Sequence, residues 1–118
     1  SDVESTLRID ANWPEIANAL LPPGSVSGAP KSSAVEIIKQ LEKTPRDIYC
    51  GVLGWVDNRT DKCKSELSVA IRTFWRRGEI LKFGTGAGIT WGSDPTQEWE
   101  ETELKAKRLI GIAEGSIR

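Results

Sequence analysis

Three strand-like runs follow one another in the middle of the chain, and they constrain the fold more than any other feature. They are IYCGVLGWV at 48–56, LSVAIRTFW at 67–75 and EILKFGTGAGI at 79–89. β-Branched and aromatic residues are frequent in all three, as is usual for strands. A polar linker separates the first two runs, and Arg77-Gly78 suits a tight turn before the third. The pattern predicts three antiparallel strands.

Helical patterns flank the strands on both sides. Residues 13–21 carry apolar side chains at helical spacing. A second helix can open at Pro30 and present one apolar face, formed by Ala34, Ile37, Ile38 and Leu41. Asp94 is a suitable N-cap for a last helix, with a proline in its first turn. The order of helix, helix, three strands and helix predicts an α+β fold.

Composition excludes several classes of function. The chain has 118 residues, and its 16 basic and 17 acidic side chains nearly cancel without forming a basic stripe, so nucleic acid is not expected as a partner. The apolar runs are too short to cross a bilayer, and the first residues do not resemble a signal peptide. We therefore expect no membrane partner and a cytoplasmic location. The absence of histidine excludes Ser-His-Asp or Cys-His catalysis, so any bound metal should be a hard ion with oxygen ligands.

The segment PGSVSGAPK at 23–31 has the composition of a loop that can receive an anion. Gly24 and Gly28 allow the backbone to approach a ligand closely, and amides at a helix N-terminus attract negative charge. Lys31 adds a positive charge. A loop that merely caps the helix explains the same residues, and local chemistry alone favours this simpler interpretation, because Gly/Ser/Pro loops are common.

Gly84, Gly86 and Gly88 stand at alternate positions in the third run. They provide no side chains to pack, so a strand is weakened there. Backbone amides that face an anionic ligand would account for them, and so would a bulge or a crossing of two sheets. The spacing is not that of a dinucleotide-binding fingerprint.

Arg72 interrupts the apolar second run, where alternation places it on the same face as Ala70. An unpaired charge among apolar neighbours is costly, so we expect the arginine to have an anionic partner. Its planar guanidinium suits a carboxylate ligand. A structural salt bridge is the alternative.

Glu98 and Glu101 are three residues apart at the start of the last helix, so they share one helix face. Magnesium in proteins often takes one or two carboxylates and completes its shell with water and substrate oxygens. Acidic residues also favour a helix N-terminus for purely electrostatic reasons. Both explanations fit the local sequence, and taken alone the second is the simpler.

Together and in this order, six segments resemble the chorismate-binding enzymes from about residue 3 to residue 110: GSVSGAPK, AVEIIKQLE, IYCGVLGW, VAIRT, GTGAGI and SDPTQEWEET. The family includes anthranilate synthase component I, aminodeoxychorismate synthase component I, and the isochorismate and salicylate synthases. The resemblance implies a four-layer α/β/β/α fold with two packed antiparallel sheets. Residues 1–118 would be the C-terminal portion of its catalytic domain, with the N-terminal portion absent.

The resemblance also implies roles for individual residues. The substrate-binding residues would be Ser27, Tyr49, Arg72, Gly86 and Gly88, and the Mg²⁺ ligands would be Glu98 and Glu101. Tyr49 and Arg72 match residues that bind the enolpyruvyl carboxylate, whereas the two glycines match positions whose amides face a substrate carboxylate. Ser27 matches a hydroxyl residue that lies against the substrate. No catalytic residue is expected within this chain, and the role of Lys31 stays open.

Within the family, IYCGVLGW and GAGITWGSDP are most similar to the aminodeoxychorismate synthases. Anthranilate synthases more often have Tyr-Gly-Gly where this chain has Tyr49-Cys50-Gly51. The resemblance thus implies a magnesium-dependent enzyme that replaces the 4-hydroxyl of chorismate with ammonia, giving 4-amino-4-deoxychorismate for folate synthesis. A glutamine amidotransferase, as a separate subunit or a fused domain, would be the partner.

Other functions remain alternatives. Within the family they are anthranilate synthase component I and isochorismate or salicylate synthase. Outside catalysis, the chain could be a binding or assembly module that kept the same fold. In every case the chain by itself is expected to be inactive and to self-associate through unpaired strand edges.

Overall fold

The computed structural model describes residues 2–57, 59 and 64–115. The elements in these ranges are segregated as expected for an α+β chain, with three helices before the four strands and one helix after them. They are α1 Trp13–Leu20, α2 Gly24–Ser27, α3 Lys31–Leu41, β1 Val52–Asp57, β2 Lys64–Val69, β3 Phe74–Arg77, β4 Ile80–Phe83 and α4 Pro95–Ala113. The predicted α+β class is confirmed.

Local capping chemistry explains where two helices begin. Asn12 precedes α1, and its side-chain oxygen accepts a hydrogen bond from the Glu15 amide at 3.1 Å. Asp94 precedes α4 and accepts from the Gln97 amide at 2.9 Å. The predicted start of the last helix is therefore confirmed. None of the described helices is long and apolar enough to cross a bilayer.

The strands form two separate antiparallel hairpins. In the first, β1 pairs with β2 from Val52 opposite Val69 to Asp57 opposite Lys64. In the second, β3 pairs with β4 from Phe74 opposite Phe83 to Arg77 opposite Ile80, across a turn at Gly78. Part of the linker in the first hairpin, residues 58 and 60–63, lies outside the described residues.

The prediction of one continuous strand at 67–75 is wrong, because the chain breaks between β2 and β3. Arg72 adopts a left-handed backbone with φ of 52°. The Ile71 amide donates to the Val69 carbonyl at 2.9 Å, and the Thr73 hydroxyl donates to the Ile71 carbonyl at 2.8 Å. These local hydrogen bonds compete with strand pairing. The alternation that placed Ala70 and Arg72 on one strand face therefore does not apply.

The first and third predicted strands are too long. Residues 48–51 form a turn, and β1 begins only at Val52. The third run is a strand only at Ile80–Phe83, and the glycine-containing residues 84–88 that follow it are not in a strand. The missing side chains of the glycines explain why this segment does not hold a strand pairing.

Very little apolar surface is buried in the described part of the chain. The buried hydrophobic residues are Cys50 and Ala70, with 4% and 2% of their surface exposed. Trp91, Trp99 and Leu104 are among many large side chains that stay exposed. The radius of gyration is 17.3 Å, compared with about 13.5 Å for a compact domain of this length. The apolar side chains of α4 and of the hairpins thus have little covering.

Candidate functional site

Tyr49 lies in a turn that is hydrogen-bonded to the end of β2. Its amide donates to the Arg46 carbonyl at 3.0 Å. The Cys50 amide donates to the Ala70 carbonyl at 3.0 Å, and the Ala70 amide donates to the Gly51 carbonyl at 2.9 Å. Because Cys50 and Ala70 are also the buried hydrophobic residues of the described ranges, these bonds fix the tyrosine beside the break between β2 and β3.

The Tyr49 ring packs against residues 84–88, which we call the glycine segment. A Cβ atom at Gly84 would lie 2.8 Å from Tyr49 Cβ, and one at Gly86 would lie 3.1 Å from the tyrosine hydroxyl oxygen. A Cβ atom at Gly88 would meet nothing within 4 Å. Close packing of the ring therefore explains two of the three glycines, and the sequence pattern did not reveal this partner.

The Tyr49 phenol stays protonated at neutral pH. Burial raises the pKa of Tyr49 to about 12, and the neighbouring Cys50 acts in the same direction. The Arg46 guanidinium, 5.6 Å from the ring centroid, acts against this shift. Glu42 holds that arginine with two hydrogen bonds of 2.8 and 2.5 Å. The phenol can therefore donate a hydrogen bond to an anionic ligand.

A cavity of about 210 Å³ brings together four of the five residues predicted to bind substrate: Tyr49, Arg72, Gly86 and Gly88. Ser27 is the exception. Its hydroxyl donates to the Pro23 carbonyl at 2.8 Å, and α2 contributes Ser25 and Val26 to the cavity wall instead. The described part of the chain therefore uses Ser27 to close its own helical turn.

Two cationic side chains line this cavity, and one of them was missed by the sequence reasoning. Arg72 reaches the cavity from the break between β2 and β3. Lys105 reaches it from α4, where Nζ lies 2.8 Å from Glu101 Oε1 and 3.3 Å from the Gly86 carbonyl oxygen. The spacing of Glu101 and Lys105 was the signal available in the sequence. Among the described residues no carboxylate lines the cavity, so its charge favours an anionic ligand.

Glu98 and Glu101 of α4 have different surroundings, because Glu101 is ion-paired with Lys105 of the first cavity and Glu98 lines a second cleft. Glu98 lines a wider cleft of about 610 Å³ together with Tyr49 and Gly86. Its Oε1 atom accepts a hydrogen bond from the Ser93 hydroxyl at 2.6 Å, whereas Oε2 is buried without a hydrogen-bond partner. The hydrogen bond from Lys105 is the main cause that lowers the pKa of Glu101, and Glu98 contributes to the same shift.

These two glutamates fit a divalent cation. A buried carboxylate oxygen without a partner is costly, and a hard cation removes that cost. The described ranges contain no group of three or more His, Cys, Asp or Glu side chains that could hold a metal alone. Glu98 and Glu101 could therefore supply only part of a coordination shell, which suits Mg²⁺ because that ion keeps water and substrate oxygens as ligands.

Comparison with known proteins agrees with this geometry. Residues 1–111 match the family described as chorismate binding enzyme. The chain belongs to the chorismate-binding enzymes. No solved structure gave a significant match.

Several relatives of this chorismate-binding chain carry the name anthranilate synthase component 1. The protein from Neisseria gonorrhoeae (strain ATCC 700825 / FA 1090) is 39% identical over 97% of the chain and 23% of its own length. That from Aquifex aeolicus (strain VF5) is 41% identical over 98% of the chain and 24% of its own length. That from Saccharolobus solfataricus is 39% identical over 95% of the chain and 27% of its own length. The chorismate-binding chain thus spans about a quarter of these relatives.

Proposed function

We propose that the protein carrying this chain is a magnesium-dependent enzyme that converts chorismate and ammonia to 4-amino-4-deoxychorismate. In this proposal the chain supplies the groups that bind the carboxylates of chorismate. The observation that carries it is the cavity between the Tyr49 turn and α4, which has cationic walls at Arg72 and Lys105 and no acidic side chain among the described lining residues. Chorismate is a dicarboxylate, so such a cavity suits one of its two anionic groups.

In this proposal, different residues of the cavity bind the substrate carboxylate in different ways. Arg72 would donate two parallel hydrogen bonds to one carboxylate, because its guanidinium matches that geometry. The protonated phenol of Tyr49 would add a third donor from the same side of the cavity. Gly86 and Gly88 would allow the ligand to approach the backbone closely. Lys105 would contribute a positive charge from α4.

The acidic pair would bind the metal. Glu98 has an unpaired buried oxygen that a metal ion could take as a ligand. The pKa of Glu101 is lowered mainly by its hydrogen bond from Lys105, so a metal ion would compete with this lysine for Glu101 Oε1. Mg²⁺ bound there would neutralise the second carboxylate of the substrate. The residues of this chain thus bind and orient the substrate, and we assign none of them the proton transfer or the attack on the ring.

Cys50 supports amination at the 4-position rather than formation of anthranilate. It lines the cavity, is buried, and has a left-handed backbone with φ of 64°. Glycine adopts this conformation most easily, and anthranilate synthases more often have glycine here. A side chain kept at such a position changes the shape of the cavity wall. We infer that it separates this chain from the anthranilate synthases.

Anthranilate synthesis is the second candidate, and the names of the relatives favour it. The two functions are separated by incubating the protein that carries this chain with chorismate, Mg²⁺ and ammonia. 4-Amino-4-deoxychorismate retains the enolpyruvyl group, whereas anthranilate forms with release of pyruvate. Chromatography of the product together with a pyruvate assay therefore decides. Anthranilate and equimolar pyruvate would reject the first candidate.

Either amination needs a source of ammonia, and we propose a glutamine amidotransferase as a partner subunit or fused domain. The expected result is that glutamine replaces ammonium salts as the nitrogen donor only when this partner is present. Turnover with glutamine by the protein that carries this chain, in the absence of any amidotransferase, would reject the partner.

A further inference from the structure

Lys31 contacts the C-terminal end of α1, ten or more residues away in sequence. Its Nζ atom lies 2.6 Å from the Asn18 carbonyl oxygen, 3.0 Å from that of Ala19 and 3.0 Å from that of Leu21. A lysine ammonium has three hydrogens. The three carbonyls can therefore satisfy all of its donors, and none is left for a ligand.

The position of Lys31 is electrostatically unfavourable for its own helix. It is the first residue of α3, where the positive end of the helix dipole repels a cation. By contrast, α1 has no basic residue in its last turn, and its final carbonyls lack partners within the helix. The Leu21 amide satisfies only the Ala17 carbonyl. Lys31 thus supplies the cation and the donors that the end of α1 needs.

Closing this contact ties together both ends of the segment between α1 and α3. That segment contains α2, whose Ser25 and Val26 line the cavity beside Tyr49. The Val26 carbonyl oxygen also accepts a hydrogen bond from the Cys50 thiol, whose sulfur lies 3.6 Å from that oxygen. The ammonium of Lys31 therefore restrains a segment that forms one wall of the cavity.

We infer that Lys31 is a positioning residue that clamps residues 22–30 to the end of α1 and thereby holds the α2 wall of the cavity in place. Its effect on chorismate use rests on the proposed function, whereas the clamp itself does not. The competing explanation is that the Lys31 ammonium binds an anionic substrate directly. The two differ in what happens to residues 22–30 when the lysine is changed.

The first test uses the unaltered protein without substrate and measures acetylation of individual lysines by mass spectrometry. An ammonium held by three carbonyls should react at least about tenfold more slowly than an exposed one. Lys39 is the matched control, because it lies in the same helix and is exposed. Equal labelling rates at Lys31 and Lys39 would overturn the clamp, and this result does not depend on any variant folding.

The second test measures backbone amide exchange in Lys31→Gln, Lys31→Arg and the control Lys39→Gln. Loss of the clamp should accelerate exchange of the amides of residues 24–29 in Lys31→Gln by about tenfold or more and leave α4 unchanged. Lys31→Arg keeps a cationic donor and should restore most of the protection. Parental exchange in Lys31→Gln would reject the clamp.

The third measurement tests whether the clamp affects the use of chorismate. In steady-state kinetics, Lys31→Gln should raise the chorismate KM by about tenfold through the displaced wall, and Lys31→Arg should recover most of it. A raised KM with parental exchange would show direct substrate binding and reject the positioning role. Faster exchange with an unchanged KM would show that the clamp exists but does not position the cavity wall, which also rejects the positioning role. If the unaltered protein does not use chorismate, the proposed function fails, while the labelling and exchange results still decide whether the clamp exists.

Discussion

The two sides of the glycine segment differ in the charged side chains that line them. On one side, Arg72 and Lys105 line a cavity without a described carboxylate, so this side needs an anion. On the other, Glu98 lines a cleft together with Lys43 and Arg46, and its buried Oε2 atom has no hydrogen-bond partner, so this oxygen could accept a hard cation. Under the proposed function, a dicarboxylate would bind on the first side and Mg²⁺ on the second.

Substitutions of Glu98 and Glu101 should give the largest loss of activity. Glu98→Gln and Glu101→Gln each remove a hard anionic ligand but keep the shape of the side chain. We expect each change to lower the magnesium-dependent turnover by at least about 100-fold, since even residues behind the ligands cost tenfold or more. Turnover is measured while Mg²⁺ is titrated against each variant.

Glu100→Gln is the control for this experiment. Glu100 is exposed, and its helical position turns it away from the face shared by Glu98 and Glu101. It should retain the parental rate and magnesium requirement. If all three variants match the parent, Glu98 and Glu101 only stabilise the N-terminus of α4, and their assignment as metal ligands is wrong.

The cationic side should give the next largest effect. Arg72→Lys keeps the charge but loses the two-pronged geometry. The loss of a charge-assisted hydrogen bond should cost about 1.5–3 kcal/mol in kcat/KM for chorismate. The magnesium requirement should not change, because Arg72 is not one of the proposed metal ligands. Arg77→Lys at the exposed end of β3 is the control. An equal loss in both variants would reject the binding role of Arg72.

Substitutions in the glycine segment should lower stability where an added side chain would clash with Tyr49. Gly84→Ala places a methyl group against the Tyr49 ring and should lower the free energy of unfolding by about 1–3 kcal/mol. Gly92→Ala is the matched control, since a Cβ atom there meets nothing within 4 Å. Denaturant unfolding of both variants checks the difference. Equal stability would show that Tyr49 does not pack against residues 84–88.

Sequence patterns revealed those parts of the molecule that depend on neighbouring residues. The Asp94 cap and the face shared by Glu98 and Glu101 are local, and the start of α4 was predicted correctly. Resemblance to a family brought Tyr49, Arg72 and the glycines together as a set, and the cavity contains all of them. Their grouping could not be derived from local chemistry.

Contacts between distant residues escaped prediction. The break at Arg72 depends on a left-handed backbone that residues other than glycine rarely adopt. Alternation of apolar residues cannot signal such a position. The partners of Lys31 are backbone carbonyls, which every residue has, so no side-chain pattern could identify them. The requirement for glycine at position 84 likewise depends on packing between the turn at 48–51 and the glycine segment, because a Cβ atom there would clash with Tyr49.

The smallest expected effect concerns Lys105, which connects the two sides through Glu101. The hydrogen bond from Lys105 lowers the pKa of Glu101 from its ordinary 4.5. A lowered pKa in the folded state means that the pair stabilises the fold above pH 4.5 and that this contribution is lost as the pH falls through the lowered value. Lys105→Gln should therefore raise the pKa of Glu101 towards 4.5, which carboxyl NMR titration measures directly.

Lys105→Gln should also change the affinities for chorismate and Mg²⁺ in opposite directions. Without Lys105 the cavity loses a cation, so chorismate should bind more weakly by a factor of about 2–5. Glu101 Oε1 is then released from its ion pair, so Mg²⁺ should bind more tightly by a similar factor. Lys107→Gln on exposed α4 controls for the change in net charge and should shift neither ligand by that much. If Lys105→Gln weakens the binding of both ligands, Lys105 supports the acidic site rather than competing with the metal for Glu101.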